Sequence, residues 1–323
     1  MSDVDALLER AGLLEAEIGK RVLGQREVVR ELLVTLFAGG HALVRGVPGL
    51  AKTLLVRALG EATHLSFKRV QFTPDLLPSD ITGSEVLDPA AEGRTAFRFV
   101  KGPVFVNLLL ADEINRTSPK TQAALLEAMA ERQVSVGGVT HLLPQPFAVV
   151  ATQNPIEQEG TYPLPEAQLD RFLLSIHVDY PSEADEVRVL QATTGAAPAA
   201  LAPVLGADDV LALQRLVREV AVSQQLVERV ARLTRATRPG TARSAKAARH
   251  LSWGAGPRGG QALLLAGKAR ALLDGRFAVS ETDLLALALP VLRHRLVLGW
   301  SAVSEQVDED AVVRQILAEV GLG

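Results

Sequence analysis

The sequence predicts an α/β core on a five-stranded parallel sheet flanked by helices, followed by an all-helical domain. Three observations predict it. Over Val44–Leu54 an apolar strand passes through a glycine-bearing loop into a helix with apolar residues three and four apart. Further short apolar runs, among them Val106–Ala111 and Phe147–Thr152, alternate with helical patterns, the rhythm of a parallel sheet. From residue 208 onward the pattern is helical throughout.

In chain order, residues 4–19 and then Val28–Leu36 carry apolar positions at helical spacing, and Gly39-Gly40 ends the second run. Strands are expected at Ala42–Val44, Phe67–Phe72, Val106–Ala111, Phe147–Thr152 and Leu173–Ile176. Residues 84–104 contain a hairpin pattern in which Phe97 and Phe99 alternate with Arg98. A second hairpin, within 133–143, turns on Gly137-Gly138. Ser118-Pro119 opens a helix whose apolar face includes Leu125, Leu126 and Met129, the last as core filler. Tyr180-Pro181 closes the sheet domain, which sets expected boundaries at 1–181 and 182–323. Ser182 with Asp185, and Ser280 with Asp283, mark helix starts. The helical domain is expected as 208–221, 223–237, 257–274, 280–297 and 309–320, with Pro290 kinking or shortening the fourth helix.

The chemistry is concentrated in a few segments. Gly46, Val47, Pro48, Gly49, Leu50, Ala51, Lys52, Thr53 and Leu54 come close to the phosphate-binding pattern G-x-x-x-x-G-K-[ST]. Backbone N–H groups of such a loop point inward, and the next helix adds the positive end of its dipole. Lys52 would reach the β- and γ-phosphates, and the Thr53 hydroxyl would help hold Mg²⁺. Ala51 stands where a glycine is usual; a methyl leaves a helical backbone easy there. The apolar run ending in Asp112-Glu113 puts two carboxylates at the C-terminal tip of a buried strand, the edge where ligands bind in open α/β sheets. Asp112 would hold Mg²⁺ and Glu113 would act as general base on water; the bland alternative is a capping pair of acids. Asn154 ends the next apolar strand, either positioning that water or simply making an Asn-Pro turn. Gly24-Gln25 precedes the phosphate loop and either lies against the adenine or serves as an interhelical turn. Arg171 follows Asp170 in what reads equally as a surface ion pair. Arg258 starts a helix, where it opposes the dipole and so suits an anion or plain solvent. His141 lacks companion ligands for a metal role.

The chain has 323 residues, 48% hydrophobic and 22% charged, with net charge −3. These values fit a globular protein and do not advertise nucleic-acid binding. No cysteine is present, which excludes disulfides and thiolate metal sites. The early acids Asp3, Asp5 and Glu9 do not resemble a signal peptide, and no apolar stretch reaches the roughly 20 residues that span a bilayer. A soluble cytoplasmic protein is expected.

The order of these segments, namely phosphate loop, acidic strand tip, Asn strand tip, arginine and helical lid, resembles the AAA+ ATPases, and specifically the MoxR family. The likeness covers most of the chain. It is carried by Gly46–Thr53, Phe72–Asp80, Leu110–Arg116, Ala151–Pro155 and Leu164–Phe172, and Ala51 is itself usual in that family. The resemblance implies ATP and ADP as ligands with Mg²⁺. Lys52 and Thr53 then match Walker A, Asp112 and Glu113 Walker B, Asn154 sensor 1, Arg171 an arginine finger acting on a neighbouring subunit's nucleotide, and Arg258 sensor 2. The segment 84–104 matches an insert in helix 2, and the hairpin 133–143 the one before sensor 1; Arg116 is a further candidate to face the neighbour. Family members resemble chaperone-like ATPases that form rings, usually hexamers, with partners bearing von Willebrand factor A domains. A nucleotide between the two domains would set the lid angle, and hydrolysis would release it. Competing expectations on the same core are a nucleic-acid motor, a metal-chelatase motor subunit and a non-catalytic scaffold. The Gly137-Gly138 turn has no adjacent Lys or Arg to favour nucleic acid, and both Walker acids argue against the scaffold.

Overall fold

A computed structural model of the chain describes residues 3–89, 95–156, 160–195, 200–240 and 249–321. Its strands are β1 (Ala42–Gly46), β2 (Phe67–Gln71), β3 (Gly83–Pro89), β4 (Thr95–Lys101), β5 (Leu108–Asp112), β6 (Gln133–Val136), β7 (Val139–Leu142), β8 (Ala148–Gln153), β9 (Leu174–Val178), β10 (Leu251–Trp253) and β11 (Val297–Leu298). Five of them form one parallel sheet in the order β2-β5-β8-β1-β9. From β1 the chain crosses to the far edge at β2, works back through β5 and β8, and hops over β1 to β9.

Because side chains alternate along a strand, each central strand feeds two cores. Val44, Leu108, Leu110, Val150 and Ile176 face one side. Leu43, Leu109, Ala111, Val149 and Ala151 face the other. The second face is covered by helix Pro119–Glu131 through Leu125, Leu126 and Met129, and by Ile81. The first is covered by helices Asp3–Gly19, Arg26–Phe37 and Lys52–Ala62. That core continues without a break into the C-terminal helices, through Leu213, Leu263, Leu287 and Ile316. The helical lid is therefore packed onto the sheet domain by apolar burial, at roughly 1.5–3 kcal/mol for each large aliphatic side chain.

The lid also closes an edge. Pro290 lies within helix Glu281–Leu292, which stops short of the expected 297. Arg293, His294 and Arg295 then form a buried 3₁₀ turn against β9. Arg293 donates to the Ser175 carbonyl at 3.2 Å, and Arg295 to the carbonyls of Phe172 and Leu173 at 2.7 and 3.2 Å. These carbonyls belong to the edge strand and its lead-in, and they draw the basic turn inward in place of further helix. Residues 251–253 and 297–298, within the part expected to be helical, pair as a small antiparallel ribbon.

Two hairpins project from the sheet domain. Phe97 lies opposite Leu87 and Phe99 opposite Glu85 in β3–β4; the tip, 90–94, lies outside the described residues. In β6–β7, Gly137 and Gly138 have φ of +58° and +79°, the left-handed pair a two-residue hairpin turn requires. His141 stacks on Phe99 with ring centroids 4.1 Å apart, so this histidine joins the two hairpins.

Candidate active site at the strand tips

Gly46 ends β1 where a Cβ would stand 2.7 Å from the Val178 carbonyl oxygen, so the close approach of β1 and β9 requires glycine. The loop then turns through Gly49, with φ +87°, into helix Lys52–Ala62. Ala51 corrects the expectation of a helical backbone: its φ and ψ are +54° and +24°, left-handed. It acts as the N-cap, and its carbonyl accepts the Leu55 N–H at 2.9 Å. The sharp reversal into the helix demands this conformation, at about 1–2 kcal/mol for a residue with a Cβ. Lys52 Nζ donates to the Gly46 carbonyl at 2.6 Å, folding its ammonium back over the loop.

A cavity of about 340 Å³ opens here, lined by Pro48, Gly49, Ala51, Lys52, Thr53, Asp112, Glu113 and Asn154. Segments more than 100 residues apart in sequence thus meet at the C-terminal tips of β1, β5 and β8, as expected for ligands in an open parallel sheet. Val47, Leu50 and Leu54 belong to the same loop and helix without lining the cavity. Asn154 is buried, and its Oδ1 accepts the Ile156 N–H at 3.2 Å, so it also shapes its own turn.

Three residues that the sequence did not single out organise the acids. Thr152, fully buried in β8, accepts the Glu113 N–H at 2.8 Å and donates to Asp112 Oδ1 at 2.5 Å. Arg69 donates through Nε to Asp112 Oδ2 at 2.9 Å, with Nη2 2.7 Å from the same oxygen. Gln71 Nε2 donates to Glu113 Oε2 at 2.6 Å, and Arg116 donates to that oxygen at 3.2 Å. Glu113 itself has φ +57°, again left-handed. One available signal was the hydroxyl within the apolar run of β8. The other was the alternation that puts Arg69 and Gln71 on one face of β2.

The donor set fits Mg²⁺. The Thr53 hydroxyl and the Asp112 carboxylate are hard oxygen ligands on one cavity, and Mg²⁺ takes few protein ligands beside phosphates and water. Among the described residues no group of three or more His, Cys, Asp or Glu could hold a metal by itself.

The remaining expected site residues lie elsewhere. Gly24, with φ +73°, packs against Asp185, whose side chain stands 2.7 Å from where a Cβ would be; Gln25 donates to the Asp179 carbonyl at 3.0 Å. Asp179 follows β9, whose Val178 pairs with Gly46, so this turn lies at the phosphate-loop end of the sheet but outside the cavity. Arg171 and Arg258 do not join it. Arg171 donates to the Leu126 carbonyl in helix Pro119–Glu131. Arg258 is 62% exposed and pairs with Asp170 Oδ2 at 3.5 Å, while buried Arg295 holds Asp170 Oδ1 at 2.7 Å. Residues 170 and 171 precede Leu174, which pairs with Ala42 at the start of β1. They therefore lie at the opposite end of the sheet, about 16 Å of strand away. Arg258, expected as sensor 2, pairs with Asp170 at that end and does not line the cavity of its own chain.

The chain is similar to known proteins along most of its length. Residues 41–174 match the family model described as "ATPase family associated with various cellular activities (AAA)", and residues 243–316 match "AAA lid domain". The chain is 42% identical to Chaperone MoxR1 of Mycobacterium tuberculosis over 307 residues, covering 95% of this chain and 80% of that one. It is 36% identical to Protein MoxR of Paracoccus denitrificans, covering 88% of each. A crystal structure of a protein from Cytophaga hutchinsonii superposes with TM-score 0.89 at 38% identity, covering 98% of this chain and 95% of that one.

Proposed function

Because the chain belongs to the MoxR family of AAA+ ATPases, we propose that it hydrolyses ATP in a hexameric ring and uses the cycle to remodel a partner protein. The observation that carries this reading is the split between the two ends of the sheet. Lys52, Thr53, Asp112, Glu113 and Asn154 share one cavity, and Arg171 and Arg258 stand at the other end. With Arg171 and Arg258 held at the far end of the sheet, the cavity suits completion by an arginine of the next copy.

In this reading the loop N–H groups and Lys52 bind the phosphates, with Gly24 and Gln25 toward the adenine. Thr53 and Asp112 hold Mg²⁺, which when bound neutralises charge on the β- and γ-phosphates. Asn154 orients a water whose oxygen bonds to the γ-phosphorus as the bond to the β,γ-bridging oxygen breaks. Glu113 accepts the water's proton, leaving ADP and inorganic phosphate. Arg171 and Arg258 of the adjoining copy stabilise the charge that develops; for Arg258 this means leaving Asp170. The lid angle is then set across the interface between copies.

A protein client fits the hairpins. Among their described residues the most exposed large apolar side chains are Leu87, Phe97, Val139 and Leu142, at 62, 70, 54 and 76%, groups that suit a polypeptide better than a phosphate backbone. The family likeness points to a client with a von Willebrand factor A domain, and the mycobacterial relative bears the name chaperone. We divide the chain at 181/182, where Ser182 caps helix Glu183–Thr194 just after β9. We place the activity in the cytoplasm, where ATP is supplied. Among the described residues no helix is long and apolar enough to cross a membrane.

Mixed rings test this. Arg171→Ala subunits should bind ATP without turning it over, and Lys52→Ala subunits should be inactive while keeping Arg171. Mixing them should restore turnover at interfaces where the first supplies the cavity and the second the arginine. Formed mixed rings without recovered turnover would contradict action between copies.

A further inference from the structure

The ion pair at the metal-site acid has an unusual feature: both carboxylate oxygens of Asp112 already have protein donors. Oδ1 takes the Thr152 hydroxyl, and Oδ2 takes both Nε and Nη2 of Arg69. The same Arg69 Nη2 donates to Gln71 Oε1 at 2.6 Å. An amide that accepts at its oxygen must present its nitrogen elsewhere, and Gln71 Nε2 is the group that donates to Glu113 Oε2. Asp112, Arg69, Gln71 and Glu113 thus form one chain of hydrogen bonds across the tips of β2 and β5, where Gln71 is the register partner of Asp112.

We propose that Arg69 is a positioning residue that competes with the metal ion for Asp112. A guanidinium and a divalent cation cannot both occupy Oδ2 without like-charge repulsion. The Arg69 side chain is 47% exposed and can swing into water, while Asp112, 11% exposed, stays at the cavity. By linkage, whatever draws Arg69 away from Asp112 favours the metal. This inference rests on the reading of Asp112 as metal ligand.

The test is the affinity for Mn²⁺ of the full chain loaded with a non-hydrolysable ATP analogue, read as free Mn²⁺ by electron paramagnetic resonance. Arg69→Ala should bind Mn²⁺ about two- to fivefold more tightly than wild type, the range of an ion pair whose guanidinium half faces water. Arg69→Met, which keeps the aliphatic stem, should do the same and serves if the alanine variant folds poorly. Gln71→Ala leaves the Arg69–Asp112 pair in place and should change Mn²⁺ affinity less than the Arg69 variants. Unchanged or weaker Mn²⁺ binding in folded Arg69→Ala and Arg69→Met would overturn the proposal. So would equal tightening in Gln71→Ala, which would mark a general loosening of the site. Asp112→Asn separates the two levels. If it fails to weaken Mn²⁺ binding, the reading of Asp112 falls and this inference with it; if it weakens binding while the Arg69 variants do not tighten it, only the competition is lost.

Discussion

The two ends of the central sheet differ in how they are built. At the C-terminal tips, loops that end strands converge on one cavity, and adjacent strands hold each acid, Thr152 and Arg69 on Asp112 and Gln71 on Glu113, with Arg116 of the following turn also on Glu113. At the N-terminal end, the cationic groups are held by partners of the same chain, Arg258 on Asp170 and Arg171 on a helix carbonyl, and the lid's Arg295 locks the arrangement. In the proposed reading one end receives a phosphate with its metal, and the other presents arginines to a neighbouring copy. The difference teaches that a single copy separates the two halves of the proposed chemistry by the height of its own sheet.

That comparison can be broken most sharply at the arginine end. Arg171→Ala should lower ATP turnover on the order of 10³-fold or more, with nucleotide affinity of the isolated chain nearly unchanged. Steady-state phosphate release beside fluorescent-nucleotide titration checks both. A matching loss of binding would move Arg171 to the wrong end. At the cavity end, Glu113→Gln should retain ATP and slow hydrolysis by about 10²–10⁴, the range of a general base. Normal single-turnover hydrolysis in that variant would remove Glu113 from the mechanism.

The scaffold between the ends gives smaller effects. Leu109 is fully buried in β5, so Leu109→Ala should cost about 2–5 kcal/mol of stability, measured by urea unfolding. The smallest expected effect is set by His41, which lies at the start of β1. Burial pushes its pKa down to about 4; its Nδ1 accepts the Val149 N–H at 3.0 Å, and its Nε2 donates to the Met129 carbonyl at 3.2 Å. Above the ordinary value near 6.5 both folded and unfolded chains hold it neutral. As pH falls below that value only the unfolded chain takes up the proton, so stability is lost between about 6.5 and 4. The loss from pH 7 to pH 5 should be about 2 kcal/mol. His41→Gln should lack this part of the slope, seen as a smaller shift of the unfolding midpoint between the two pH values.

What was legible in the sequence was local. The phosphate loop, the acid pair and the Asn tip each sit in a contiguous pattern whose strand and helix signals are strong. The five strands and both hairpins follow from apolar runs and turn residues. Arg69 and Gln71 were missed because their role depends on β2 lying beside β5, a neighbour relation that sheet order decides and spacing along the chain does not. The place of Arg258 beside Asp170 has no local signal for a similar reason: the lid meets β9 through the turn Arg293–Arg295, far from either residue in sequence. Ala51 was misjudged because the reversal into the helix, and not the residue's own propensity, decides its backbone. The short ribbon of β10 and β11 pairs segments more than 40 residues apart and leaves no local signature.

The most direct measurement of the central claim is turnover per protomer as a function of protein concentration, with assembly state followed by sedimentation under the same conditions. If neighbouring copies complete the active centre, specific activity rises with assembly and vanishes for the monomer. A monomer that turns ATP over at the full rate would contradict it.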